Sequence, residues 1–145
     1  MPKWAKILLI ILGVFVLLGI GVIIAGVVWW NSSGKQFFEG AMKSVQEGQT
    51  YGRSADNAAC VDESFVRFKR DSSMTNIVSA RSFLTGCLQT SKSTPNFCDG
   101  VPAQLEFTNS ARWKTEQCQA RGLGSDPNCP QMFDAVQQHC EKQRN

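Results

Sequence analysis

ILLIILGVFVLLGIGVIIAGVVWW, residues 7–30, carries no charge and almost no polar side chain. Its 24 residues, at about 1.5 Å each, make roughly 36 Å of helix, enough to cross ~30 Å of hydrocarbon. A backbone in lipid has only itself for hydrogen bonding, so the stretch reads as a helix that spans a bilayer. Trp4 lies before it and Trp29 and Trp30 close it, where indole rings settle at membrane interfaces. The run exceeds the ~7–15 apolar residues of a secretory signal, and Val-Val-Trp-Trp-Asn is a poor cleavage context, so a retained anchor is expected. Lys3 and Lys6 precede it, which predicts a cytoplasmic N-terminal tail, residues 1–6. Gly21 and Ala25 form a small-xxx-small pair on one face. That pair permits a homodimer through the membrane helix, although glycines are common in such helices generally.

Beyond the anchor, the segment 31–53 reads as a juxtamembrane amphipathic helix and linker, and 54–145 as one small domain. A chain of that size buries a thin core, so covalent support matters. Of 15 basic residues 13 follow the anchor, together with all 12 acids, leaving a near-neutral exported part. That balance excludes a nucleic-acid partner. The one dense basic cluster, Arg67, Lys69 and Arg70, is neighboured by Asp62, Glu63 and Asp71 and reads as a solvated helix face.

All six cysteines, Cys60, Cys87, Cys98, Cys118, Cys129 and Cys140, follow the anchor. An even number confined to the exported side reads as disulfides. Zinc is not expected, because structural zinc sites pair ligands two to four residues apart and the nearest cysteines here are eleven apart. No other cofactor is implied.

Periodicity then predicts the helices. Phe37, Phe38, Ala41, Met42 and Val45 recur at helical spacing over 35–48, ending near Gly48. This segment could extend the membrane helix or lie on the membrane surface, but packing against the domain is the favoured reading. A second helix is expected from Ser54 or Asp56 to Arg70, with Ala58, Val61, Phe65 and Phe68 inward. A third covers 73–90, with Met74, Ile77, Val78, Leu84, Cys87 and Leu88 on one side. Arg81 shares that stripe and so must stack, pair or snorkel. Residues 94–102 are a loop. A fourth helix covers 106–121, with Phe107, Ala111, Lys114, Gln117 and Cys118 on one side and Gly122 as its cap. The last begins with Asp126 as cap and Pro127 as first residue, with Met132, Phe133, Val136 and Cys140 inward.

In an antiparallel hairpin, residues equidistant from the turn lie opposite each other. Cys60 and Cys87 are centred on the turn near Ser73, and Cys118 and Cys129 on Leu123 and Gly124. Cys98 and Cys140 remain as the third pair. The fold class is all-α: an N-terminal single transmembrane helix followed by a small disulfide-stapled helical bundle.

Catalytic constellations are thin. His139 is the only histidine, and as a helix neighbour of Cys140 it points away from it. Asp62 and Glu63 diverge on their helix, and Asp99 belongs to a turn. Gly-Leu-Gly-Ser-Asp-Pro-Asn, from Gly122, lacks the lysine of a phosphate loop. Trp113 reads as core. The sequence therefore points to a non-enzymatic binding or accessory subunit of a cell inner membrane with a periplasmic or otherwise extracytoplasmic domain. Its partners would be the bilayer and another protein. The alternative is a thiol-redox or other envelope enzyme using Cys98, which falls in the loop.

Overall fold

The computed structural model describes residues 3–144, whose regular secondary structure is helical, with no strand among them. Six α-helices follow in order: α1 Lys3–Trp29, α2 Lys35–Gly52, α3 Asn57–Phe68, α4 Met74–Thr90, α5 Phe107–Ala120 and α6 Cys129–Arg144. A wide π turn, Trp30–Gly34, separates α1 from α2. The chain divides into two compact units, Met1–Glu39 and Gly40–Asn145. Residues 1 and 2 of the expected tail lie outside the described residues.

In the first unit, Trp4–Ser32 is long and apolar enough to cross a membrane, with a mean hydropathy of 3.3 and none of it buried. Trp4, Trp29 and Trp30 are all exposed, and Gly21 has nothing near the position a Cβ would take. So long a bare apolar surface has the length and composition of a membrane span.

In the second unit α4 is the central helix. Ile77, Ala80, Phe83, Leu84, Gly86, Cys87 and Leu88 are buried over most of its circumference, because α2, α3 and α6 surround it. The expected α4 stripe needs one correction. Met74 is 64% exposed, since it sits in the first turn beyond the reach of α3. From α3 come Cys60, Val61, Phe65 and Phe68, and from α6 Cys129, Met132, Phe133, Val136 and Cys140. Phe65 meets Phe133 with ring centres 5.2 Å apart, which ties the α3–α4 half to the α5–α6 half.

The caps follow local chemistry. Asp56 caps α3 by accepting from Ala59 N–H at 2.8 Å, whereas the Ser54 hydroxyl turns back to Tyr51 O. Ser73 caps α4 through Asn76 N–H. Asp71 accepts from both the amide and the hydroxyl of Ser73, and these bonds hold its pKa below the usual carboxylate value. Gly122, at φ 71°, ends α5, with Leu123 N–H donating to Cys118 O and Gly122 N–H to Gln119 O. Glycine alone takes that conformation without strain. The last helix starts later than expected. Asp126 instead closes a turn onto Asn128 N–H, and α6 begins at Cys129 with Pro130 in its first turn.

The largest departure concerns α2. It runs to Gly52, past the expected end, and its buried residues are Ser44, Gly48 and Gly52. Phe37, Phe38 and Met42 are exposed. The packed face is thus the small-residue stripe, because α2 approaches the backbone of α4 too closely for side chains to intervene. The Ser44 and Ser79 hydroxyls lie 2.7 Å apart, and the Thr90 hydroxyl donates to Gln49 O at 2.8 Å.

Candidate functional site

The sulfurs are joined as Cys60–Cys87, Cys98–Cys140 and Cys118–Cys129, with Cα separations of 5.7, 5.4 and 6.1 Å. No cysteine is free. The first bridge clasps α3 to α4. The third closes the turn between α5 and α6, and the second ties the 94–102 loop to α6. Five of the six are fully or almost fully buried, and Cys98 is half-buried. A thiolate nucleophile at Cys98 therefore requires prior reduction of its bond to Cys140.

His139 lies on α6 beside the Phe97 ring, with its Nε2 2.9 Å from Gln143 Nε2. Partial burial, and then the nearby Lys142 charge, lower its pKa from the ordinary 6.5. The folded form consequently binds fewer protons than the unfolded chain wherever the unfolded histidine is charged. Domain stability is expected to fall as pH drops below 6.5. His139→Gln should flatten that part of the profile in urea titrations from neutral to mildly acidic pH.

The buried polar residues are structural and satisfied. Gln137 is fully buried. Its Nε2 donates to Pro102 O at 3.0 Å, and its amide exchanges hydrogen bonds with the Ser110 hydroxyl. It holds the loop, α5 and α6 together. Asn57 donates from Nδ2 to the Ser91 hydroxyl, and its Oδ1 accepts from Thr94 N–H, anchoring the segment that leaves α4. Gln137→Ala is expected to destabilise the domain by about 2–4 kcal/mol, since it leaves a cavity and unpaired buried groups. Chemical denaturation checks this, and a cost below ~1 kcal/mol would show that the network contributes little.

Several charged residues pair across the helices. Arg67 contacts Glu47 at 2.9 Å and Glu63 at 3.0 Å and stacks 3.8 Å from the Phe83 ring centre. Within the basic cluster Arg67 thus contributes to packing, while Lys69 and Arg70 stay on the exposed face. Arg121 bonds to Asp62 and covers Phe65. Arg81 pairs with Asp134 at 3.4 Å, which Lys114 also contacts. Trp113 packs edge-on to Phe133, with centroids 5.4 Å apart. Among the described residues no group of three His, Cys, Asp or Glu side chains clusters as metal ligands would.

The inward side of α5 also differs from expectation. Ser110 and Cys118 are buried, whereas Phe107 is 77% exposed, next to Leu105 at 82%. Sequence periodicity marks Phe107 as apolar but cannot show that its stripe is rotated away from α6. No family model, curated protein or solved structure matches this chain.

Proposed function

We propose that this chain is a single-pass inner-membrane protein with its N-terminal tail in the cytoplasm. Its bridged domain then works in the periplasm, or an equivalent extracytoplasmic space, as a non-enzymatic binding or accessory subunit. One combination carries the reading. The same chain holds an apolar helix with no protein cover and three disulfides in the domain that follows. The helix requires lipid, and the bridges require an oxidising compartment. Lys3 and Lys6 ahead of the apolar run support the orientation. The exposed Phe37 and Phe38 suit a lipid interface, and the open face at Gly21 and Ala25 leaves room for a second membrane helix.

The domain's chemistry supports binding over catalysis. Glu47, Glu63, Asp62 and Asp134 are engaged by arginines or a lysine, and His139 by Gln143. Thiol exchange at Cys98 rests on its half-exposure alone. Sealed membranes test the reading. Protease added on the extracytoplasmic side should digest the domain and spare an N-terminal tag, and crosslinked membranes should yield a partner at fixed stoichiometry. Protection of the domain would reverse the orientation. Turnover of a dithiol substrate by the purified protein would favour the redox alternative.

A further inference from the structure

A hollow of about 270 Å³ opens between α4 and α6, within the Gly40–Asn145 unit. Leu88 and Ala135, both buried, are the apolar part of its lining. Gln89, Gln138, His139 and Lys142 supply the polar part.

Its charge sets it apart from the other hollows of the domain. Asp134 lines one of those, Glu106 and Glu116 another, and Glu47 a third. Among the described residues no carboxylate lines the α4–α6 hollow, and Lys142 makes no ion pair. The neutral groups present donors. Gln49 Nε2 donates to Gln89 Oε1 at 2.9 Å, which fixes that amide and leaves Gln89 Nε2 as a free donor. Gln143 Nε2 can only donate, so its 2.9 Å contact makes His139 Nε2 an acceptor and puts the ring proton on Nδ1. An edge contact with Phe97 also holds the imidazole.

One net positive charge and several N–H donors thus surround an apolar patch. N–H donors and an ammonium suit a carboxylate, and burial against Leu88 and Ala135 suits a hydrocarbon body. A cation would be repelled by Lys142, and a dianion would meet one cation only. The volume lies below the ~300–1,000 Å³ of sites for drug-sized ligands, so the occupant is small. We propose that the α4–α6 hollow binds a small monocarboxylate, with Lys142 and the amide donors on its carboxylate and Leu88 and Ala135 against its apolar body.

The test uses the untagged full chain in non-ionic detergent micelles at neutral pH and fixed ionic strength. Benzoate is the probe, and benzamide is its uncharged counterpart of similar shape. His139 is the only histidine and lines the hollow, so its imidazole C–H resonances report binding there. Benzoate should shift them saturably at millimolar concentrations, as suits so small a ligand. Benzamide should bind at least ~10-fold more weakly. Lys142→Gln should weaken benzoate about 3-fold and leave benzamide unchanged. Gln89→Glu still accepts from Gln49 but adds a negative charge, and it should abolish the benzoate response. Both substituted side chains are exposed, so the variants keep their fold, which circular dichroism checks. The absence of a saturable shift, equal affinity for benzoate and benzamide, or a Lys142→Gln protein that binds benzoate like its parent would each overturn the proposal. None of these outcomes bears on the anchored-subunit reading, which membrane retention and protease access test separately.

Discussion

Gly86→Ala is expected to destabilise the domain by about 2–4 kcal/mol, and Gly86→Leu to prevent its folding. A Cβ at Gly86 would lie 2.1 Å from the Val45 carbonyl oxygen and 2.9 Å from its carbon. The contact is reciprocal, since a Cβ at Gly48 would lie 2.1 Å from Phe83 O. Backbone meets backbone at both points, so no rotamer change relieves the clash and one helix must retreat. Retreat breaks the Ser44–Ser79 and Thr90–Gln49 hydrogen bonds and parts Tyr51 from Phe83, whose ring centres are 5.7 Å apart. The gain in helix propensity from alanine, about 1 kcal/mol, is too small to compensate. Gly40 provides the contrast. It lies in α2 with nothing within 4 Å of its would-be Cβ. Gly40→Ala should therefore stabilise by about 0.5–1 kcal/mol. Urea denaturation of both variants separates a steric contact from a propensity effect. A Gly86→Ala protein as stable as its parent would remove α2 from the domain.

Replacing Cys98 and Cys140 together with alanine should cost about 4 kcal/mol, because the bridge closes a separation of 42 residues. The same loop-entropy relation gives about 3.5 kcal/mol for the 27-residue separation of Cys60–Cys87 and about 3 kcal/mol for the 11-residue separation of Cys118–Cys129. Cys118–Cys129 lies inside the Cys98–Cys140 loop and shortens it, so removing Cys98–Cys140 alone should cost slightly less than the full-loop figure. Cys60 and Cys87 are fully buried, so alanine there also leaves a small cavity. Against a typical stability of ~5–15 kcal/mol, loss of any one bridge is serious and loss of all three is expected to unfold the domain. Denaturant midpoints of the three pairwise variants check the ranking. A Cys118–Cys129 variant less stable than the Cys98–Cys140 variant would mean that contacts in the α5–α6 turn outweigh loop entropy.

Much of this architecture was legible from spacing alone. The long apolar helix is a composition effect, visible because 24 consecutive residues lack charge. Hairpin symmetry about Ser73 and about Gly122–Gly124 leads to the three bridges the structure contains, since residues equidistant from a tight turn must face each other across an antiparallel pair. Met132, Phe133, Val136 and Cys140 were readable on α6 because that helix buries a single stripe. The failures share another cause. Apolar periodicity assumes that a packed face is made of large side chains, whereas α2 packs through Ser44, Gly48 and Gly52. On α5 the residues that decide the inward face, Ser110 and Cys118, are small or polar. The large Phe107 turns outward, and the same rule misassigns it. The start of α6 was misplaced because Asp126 and Pro127 suit a turn as well as a helix start, and the backbone takes the turn. The α4–α6 hollow depends on long-range juxtaposition of Leu88 and Gln89 with His139 and Lys142, for which a single sequence offers no signal.

The most direct test of the whole account is the state of the sulfurs in freshly isolated, carbonate-washed membranes. A polyethylene-glycol maleimide added before and after reduction under denaturing conditions counts free thiols by gel shift. A protein held in the membrane pellet that gains no label before reduction and six labels after it is the expected result. Six labels before reduction, or a protein released by the wash, would contradict an anchored domain held together by disulfides.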